Sequence, residues 1–362
     1  MTDPNTSSFM YDFASIYDEL NISYNFGNES EFVLNPATEP CPSTLPNIVT
    51  YAACVFYILI FLMAIPGNLV VGLVIGLSKQ SLPPSDLYLL HLAIADILLA
   101  VTLPFWATSV TVGWVFGDAA CKMVTVAQEL SFYSSILFLT CISMDRYMVI
   151  VRAMEARKAN RQLVSWGVCA AVWGVGTLLS LPGLFSSSFA ANNSSRPVCA
   201  ESYDPGSSDE WRTATRVLRH TLGFLVPLAV MLPCYGTTVR RLLRVRGGVQ
   251  RQKAMRVIVC VVAAFLLCWT PYHLAVMADT FYRARLVAFG CPARRAVDRA
   301  MFATQSLGLL HSCVNPVLYA FVGEKFRRRF LQILAKVGVA ERPSISRSSR
   351  SSLSSEMTST FM

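Results

Sequence analysis

Residues 51–77 read YAACVFYILIFLMAIPGNLVVGLVIGL, a stretch without one Asp, Glu, Lys or Arg. A helix needs roughly 20 apolar residues to cross a bilayer, so this run predicts a membrane span. Others follow by the same reading, and together seven spans are predicted at about 48–77, 86–112, 118–151, 163–186, 212–241, 252–281 and 299–321. The composition agrees: 54% of the 362 residues are hydrophobic and 15% charged, against about 25% charged in a soluble domain. The predicted fold class is an all-α membrane protein, a seven-transmembrane helix bundle. Pro66, Pro104, Pro182, Pro227, Pro271 and Pro316 fall inside the spans. Proline kinks a membrane helix, and neighbouring helices satisfy the carbonyl it frees. The bundle should therefore be irregular and hold a cavity.

The net charge of +9 is unevenly spread. Residues 1–78 contain no Lys or Arg, but they contain Asp3, Asp12, Asp18, Glu19, Glu29, Glu31 and Glu39. Most of the basic residues gather on one side of the spans: Lys79, then Arg152 to Arg161, then Arg240 to Arg256, then Lys325 to Arg329. An excess of Lys and Arg marks cytoplasmic loops. The expected protein is thus a multi-pass plasma-membrane protein with its N-terminus outside and its C-terminus in the cytoplasm. Basic blocks between apolar spans serve topology, so no nucleic-acid partner is expected. The acidic, polar N-terminus lacks the basic start and apolar core of a cleavable signal, and the first span is expected to direct insertion.

Two further signals agree with this orientation. The sequons at Asn5, Asn21, Asn28, Asn192 and Asn193 all fall on the outer side. So do Cys41, Cys121, Cys199 and Cys291, a count that suits two disulfides. The other cysteines lie in apolar runs and read as small hydrophobes. After the seventh span, Phe326, Phe330, Ile333, Leu334 and Val337 share one helical face opposite Lys325 and Arg327–Arg329. That pattern predicts a short amphipathic helix lying on membrane lipid. The expected organisation is an acidic glycosylated tail at 1–47, the bundle at 48–321, the surface helix at 322–338 and a disordered Ser-rich tail at 339–362. In that last tail Ser348, Ser349, Ser351, Ser352, Ser354 and Ser355 are candidate phosphorylation sites.

Four short motifs carry the functional reading. Asp145-Arg146-Tyr147 closes the third span: either a charged stop at the membrane edge, or an arginine held by its neighbouring acid in one state and freed in another. Asn315-Pro316-Val317-Leu318-Tyr319 closes the seventh: a simple kink, or a hinge that carries Tyr319 inward. Cys268-Trp269-Thr270-Pro271 sets a large aromatic close to a kink in the sixth. Asp96 lies in the middle of the second span, where a carboxylate is costly unless paired or wet. Asn68, Ser135 and Asn315 are its plausible partners. The group is either a structural hydrogen-bond cluster or a site for a sodium ion at Asp96, Ser135 and Asn315.

These signatures, in this order and on these spans, resemble the rhodopsin-like G-protein-coupled receptors. Thr102-Leu103-Pro104, Trp114, the extra Cys41 and Cys291, Asp145 to Val151 and His311 to Pro316 are similar to the chemokine receptors. Trp211-Arg212, Leu266 to Tyr272 and Asp298-Arg299-Ala300 are similar to the CXC subgroup, and within it most like the interleukin-8 receptors. The resemblance implies a Cys121–Cys199 bridge from span three to the second outer loop. It also implies a Cys41–Cys291 bridge from the N-tail to the third. Activation would open span six at its inner end, repack Tyr235, Trp269, Pro271 and Tyr319, and free Arg146 for a heterotrimeric G protein of inhibitory type. Receptor kinases and arrestin would follow at the tail. One departure stands out: Gln305 occupies the place where the family has a Glu, which removes a fixed negative charge from the pocket.

The charge pattern adds a ligand class. A uniformly negative N-tail should attract a basic partner and speed its encounter, and chemokines are basic proteins. Asp12, Tyr17, Asp18 and Glu19 are the expected docking residues, with Tyr11 and Tyr17 as candidates for sulfation. Trp106, Glu129, Arg212, Arg216, Asp279, Arg295, Asp298 and Gln305 are the expected pocket contacts. Other classes fare worse. A retinal-binding pump needs a lysine in its last span, and residues 299–321 have none. An intramembrane enzyme or transporter needs paired groups at mid-depth, where only Asp96 is clearly placed. No enzymatic activity is expected, and no cofactor beyond the possible sodium ion. A receptor for another peptide, or a non-signalling chemokine scavenger, are the alternatives within the same fold.

Overall fold

The computed structural model describes residues 46–77, 82–151, 158–190, 196–203, 208–244, 249–283, 290–322, 328 and 330–331. Span one is the helix Asn47–Gly76. Span two joins Pro84–Ala100 to Leu103–Val112, and span three is Gly117–Ile150. Span four, Lys158–Ser180, ends in a 3-10 turn at Leu181–Phe185. Span five joins Ser208–His220 and Val226–Arg244 through a π-helical turn at Thr221–Leu225. Span six is Val249–Arg283, and span seven is Cys291–Leu309 followed by His311–Val322. The first six are long and apolar enough to cross a membrane. Span seven starts at Cys291 rather than near 299, because its first turns carry Arg294, Arg295, Asp298 and Arg299 and so escape a hydropathy reading. Its start is set instead by Pro292 in the first turn, where a missing N–H costs nothing.

The prolines act in different ways. Pro104 opens the second half of span two, after a break where the Thr102 hydroxyl donates to the Leu99 carbonyl at 2.7 Å. Pro182 lies in the 3-10 turn that ends span four and not inside its helix. Pro66, Pro271 and Pro316 stay within helices, as does Pro233, which the sequence reading passed over. Pro316 removes the hydrogen bond that the Ser312 carbonyl would receive. Asn68 replaces it: its Nδ2 donates to Ser312 O at 2.8 Å and to Ala64 O at 2.9 Å. Asn68 thus serves span seven's backbone rather than the Asp96 carboxylate. Its neighbour Gly67 makes the approach possible, since a Cβ there would sit 2.9 Å from Pro316 Cβ.

The main core runs through the middle of the bundle, with Leu92, Phe132, Ile136, Leu139, Phe265 and Trp269 among its buried members. A second cluster around Tyr57, Ile60, Leu99, Leu103 and Leu309 binds spans one, two and seven. Many large apolar side chains stay exposed, among them Leu59, Leu62, Leu73, Leu178, Leu267 and Leu274. In water such a surface would aggregate; in a bilayer it faces lipid.

One end of the bundle carries a hairpin, β1 (Ser186–Ala190) against antiparallel β2 (Pro197–Glu201). Cys199 of β2 is bonded to Cys121 in the first turns of span three, with Cα atoms 5.6 Å apart. The bridge closes a sequence separation of 78 residues, worth about 4 kcal/mol by loop-closure entropy. Gly113 lets the loop before span three meet the hairpin. Its φ is +94°, and a Cβ would lie 2.9 Å from the Pro197 carbonyl, which instead accepts from the Trp114 N–H at 2.7 Å. Cys291 is also disulfide-bonded; its expected partner, Cys41, lies outside the described residues.

Candidate functional site

Three polar layers descend through the bundle from the hairpin end. The first is built on the initial helix of span five. Arg212, Arg216 and Arg219 follow a spacing of four and three, which puts them along one helical face. Arg216 Nη1 pairs with Asp279 Oδ2 of span six at 2.7 Å. Arg219 forms an ion pair with Glu129 of span three, and its Nη1 donates to the Tyr272 hydroxyl at 2.7 Å. Spans three, five and six are therefore tied by two arginine–acid pairs. Beside them lies a small cleft, partly open to solvent, lined by Thr125, Glu129, Tyr133, Glu201, Thr215 and Arg219 among others. The disulfide brings Glu201 there, because Cys199 anchors β2 to span three. On the same strand exit, burial pushes the Tyr203 phenol above its ordinary pKa and the Glu201 carboxylate adds to the shift, so Tyr203 stays neutral.

The second layer centres on Trp269, 4% exposed. Phe132 packs against it at 4.7 Å between ring centroids. Gly308 lies directly under the ring, where a Cβ would come within 2.9 Å. The Trp269 indole N–H donates to His311 Nδ1 at 3.2 Å. His311 Nε2 lies 3.5 Å from Asp96 Oδ1, and Asn315 Nδ2 donates to Asp96 Oδ2 at 2.7 Å. Ser135 is buried beside the same carboxyl, near enough to act on it, yet its Oγ makes no hydrogen bond of sound geometry among the described residues. Asp96 Oδ1, Ser135 Oγ and Asn315 Oδ1 are all buried and unsatisfied there. Unsatisfied buried oxygens call for a water or an ion, and oxygen atoms are the donors a hard cation takes. The residues present fit a sodium ion.

The third layer lies at the far end. Arg146 Nε stands 4.0 Å from Asp145 Oδ2 and makes no hydrogen bond among the described residues. A contact at 4.0 Å is a loose restraint on Arg146. The Tyr235 hydroxyl is likewise buried without a hydrogen bond among the described residues. Arg241 of span five donates to the Val151 carbonyl at 2.8 Å, closing spans three and five at this edge.

Residues 67–319 match the family model of the seven-transmembrane receptors of the rhodopsin family. The C-X-C chemokine receptor type 1 of Homo sapiens is 44% identical over 351 residues, 96% of this chain and 94% of that protein. The type 2 receptor of Homo sapiens is 43% identical over 94% of this chain and 93% of that protein. The type 1 receptor of Oryctolagus cuniculus is 45% identical over 88% and 89%. The chain belongs to the rhodopsin-family C-X-C chemokine receptors.

In this receptor the structure brings together only part of the expected pocket. Glu129, Arg216 and Asp279 meet in the first layer. Trp106 packs on Trp114 at 5.5 Å with its indole N–H unpartnered among the described residues. Arg295 Nε donates to the Cys291 carbonyl at 3.4 Å. Asp298 is half-buried and Gln305 exposed on span seven. Two residues escaped the sequence reading. Arg219 had a signal, the helical spacing after Arg212 and Arg216. His311 stood in the quoted stretch His311 to Pro316, but nothing in the sequence gave it a partner. Asp12, Tyr17, Asp18, Glu19, the five sequons, the tail serines and the Tyr319 side chain lie outside the described residues.

Proposed function

We propose that this receptor binds a basic extracellular CXC chemokine, of the kind read by interleukin-8 receptors, and activates an inhibitory-type heterotrimeric G protein to drive leukocyte chemotaxis. The N-terminus lies outside the cell, and the Arg146 end faces the cytoplasm. The observation that carries this reading is the run of contacts from the Arg219–Tyr272 hydrogen bond, through Tyr272 against Trp269, to His311, Asp96 and Asn315. The names of the relatives supply the ligand class. Binding has two parts. The acidic N-tail, through Asp12, Tyr17, Asp18 and Glu19, grips the ligand body, and the ligand's N-terminus enters the first layer.

That layer already pairs its charges, so an entering segment must offer both signs: a carboxylate to Arg216 or Arg219, a cation to Glu129 or Asp279. Exchanging these pairs shifts spans five and six against span three. The shift repacks Trp269 on Gly308, and the weak Asp145–Arg146 contact lets Arg146 go. A ligand moves this equilibrium only through its differential contacts in the two arrangements. When bound, a sodium ion would be held by Asp96, Ser135 and Asn315 and would balance the buried carboxylate. Phosphorylation of the tail serines by receptor kinases adds about −1.5 to −2 charges each and recruits arrestin.

The test is nucleotide exchange on an inhibitory-type G protein by the full chain in lipid nanodiscs, screened against purified chemokines. CXC chemokines with an acid and a base near the N-terminus should stimulate exchange. Binding without exchange would make the protein a scavenger, and no binding by any chemokine would overturn the reading.

A further inference from the structure

His220 and His273 meet across spans five and six and belong to none of the three layers. Their Nδ1 atoms are 2.9 Å apart and their ring centroids 5.1 Å. His273 is 3% exposed, and Phe224 stacks on it at 4.3 Å. One proton joins the two Nδ1 atoms, so one ring donates and the other accepts. The Nε2 of each ring is buried and makes no hydrogen bond among the described residues. Buried ring nitrogens are ordinarily satisfied, so hydrogen bonding alone leaves this pair unexplained. The chain has only 4 histidines, and two of them converge here from separate spans.

We propose that His220 and His273 form a zinc-binding pair that clasps spans five and six. Zinc takes imidazole nitrogen at about 2.0–2.1 Å in tetrahedral array, which sets two nitrogen ligands about 3.3–3.4 Å apart. From 2.9 Å the rings need to separate by only about 0.4–0.5 Å. The ion takes the place of the proton between the rings, and that proton passes to the bare Nε2, so both imidazoles stay neutral. The remaining two positions fall to water or to a ligand atom. The nearby cations do not oppose the ion at full strength, since Arg219 is paired with Glu129 and Arg216 with Asp279.

The position gives the clasp a consequence. His220 is the last residue before the π-helical turn of span five, and His273 lies two residues past Pro271 of span six. The ion would join the two spans at their irregular points, where they must shift against each other for a signal to pass. The clasp holds whichever ligand the receptor takes.

The full chain in lipid nanodiscs is dialysed against zinc chloride, with magnesium chloride as comparison. Wild type should take up one zinc more per chain than His220→Gln or His273→Asn. Each of these should lose at least about tenfold in affinity for that ion. His91→Asn, whose imidazole joins spans two and four instead, should bind as wild type does. A zinc-dependent rise in melting temperature should appear in wild type and His91→Asn and be absent in the other two. Both substitutions keep a polar side chain of similar size, and the zinc-free melting curve reports that each variant is folded. Equal zinc uptake by wild type and both pair variants overturns the proposal, as does wild-type zinc uptake no greater than that of magnesium.

Discussion

Replacing Arg219 with Met removes the cation that Glu129 faces and the donor to the Tyr272 hydroxyl. The paired side chains are 26% and 17% exposed. The pair therefore lies between a surface ion pair, worth about 0–1 kcal/mol, and a buried one, whose one-sided removal costs about 3–5 kcal/mol. About 1–2 kcal/mol for a half-desolvated Glu129 left alone and about 1 kcal/mol for the lost hydrogen bond give an expected loss of about 2–3 kcal/mol. Glu129→Leu should cost about 2 kcal/mol by leaving Arg219 unbalanced. Removing both charges in Arg219→Met/Glu129→Leu should cost less than the sum of the singles, by about 1.5–2 kcal/mol. The buried thiols of Cys169, Cys268 and Cys313 supply the assay, because they meet a thiol-reactive fluorophore only on unfolding. A coupling energy below about 0.5 kcal/mol, the scatter expected of independent sites, would refute the reasoning.

Arg146→Ala should abolish nucleotide exchange while ligand binding and surface expression persist; full exchange in the variant sinks that role for Arg146. Asp96→Asn should flatten the inhibition of agonist binding by sodium, and an unchanged sodium titration leaves a structural cluster only. Gly308→Ala places a methyl against the Trp269 ring, an overpacking of about 1–3 kcal/mol, and should raise basal exchange at least about threefold; unchanged basal exchange in a folded variant argues that Trp269 does not report to Arg146. Asp12→Asn/Asp18→Asn/Glu19→Gln should lower the chemokine association rate and flatten its salt dependence; stopped-flow rates equal to wild type would remove the N-tail as docking arm.

The spans were legible because a bilayer imposes one strong rule, long apolar runs, and Asn47–Gly76 obeys it along its whole length. Span seven was legible only in part. Its charged first turns lie beyond the apolar run, and nothing in hydropathy places a helix start at Cys291. Kinks were legible as prolines but not as shapes: Pro182 ends a helix, while span seven breaks at Leu310, six residues before Pro316. The Asp96–Asn315 contact followed from the cost of a lone buried acid. Asn68 did not follow, because its partner is a carbonyl freed by a proline on another span. A side-chain reading has no means of naming that carbonyl until spans one and seven are known to touch. Arg219 and His311 share this difficulty, each being defined by what faces it from other helices.

His311 shows what such a residue adds. Its ring has two nitrogens and, when neutral, one proton. Nδ1 lies 3.2 Å from the Trp269 Nε1 and 2.7 Å from the Gly308 carbonyl. With the proton on Nε2, Nδ1 accepts from Trp269, and the N–H on the other side points charge-favourably toward Asp96 Oδ1, 3.5 Å away. With the proton on Nδ1, the ring donates to Gly308, Trp269 loses its acceptor, and a bare lone pair confronts the carboxyl. The ring cannot serve Trp269 and Gly308 at once. Whatever displaces Trp269 from the first layer above thus changes what Asp96 meets, and whatever changes the charge at Asp96 alters the hold on Trp269. Coupling between two sites needs an element with two discrete arrangements that both sites bias. A single imidazole on the irregular turn of span seven meets that requirement without any large movement of its own.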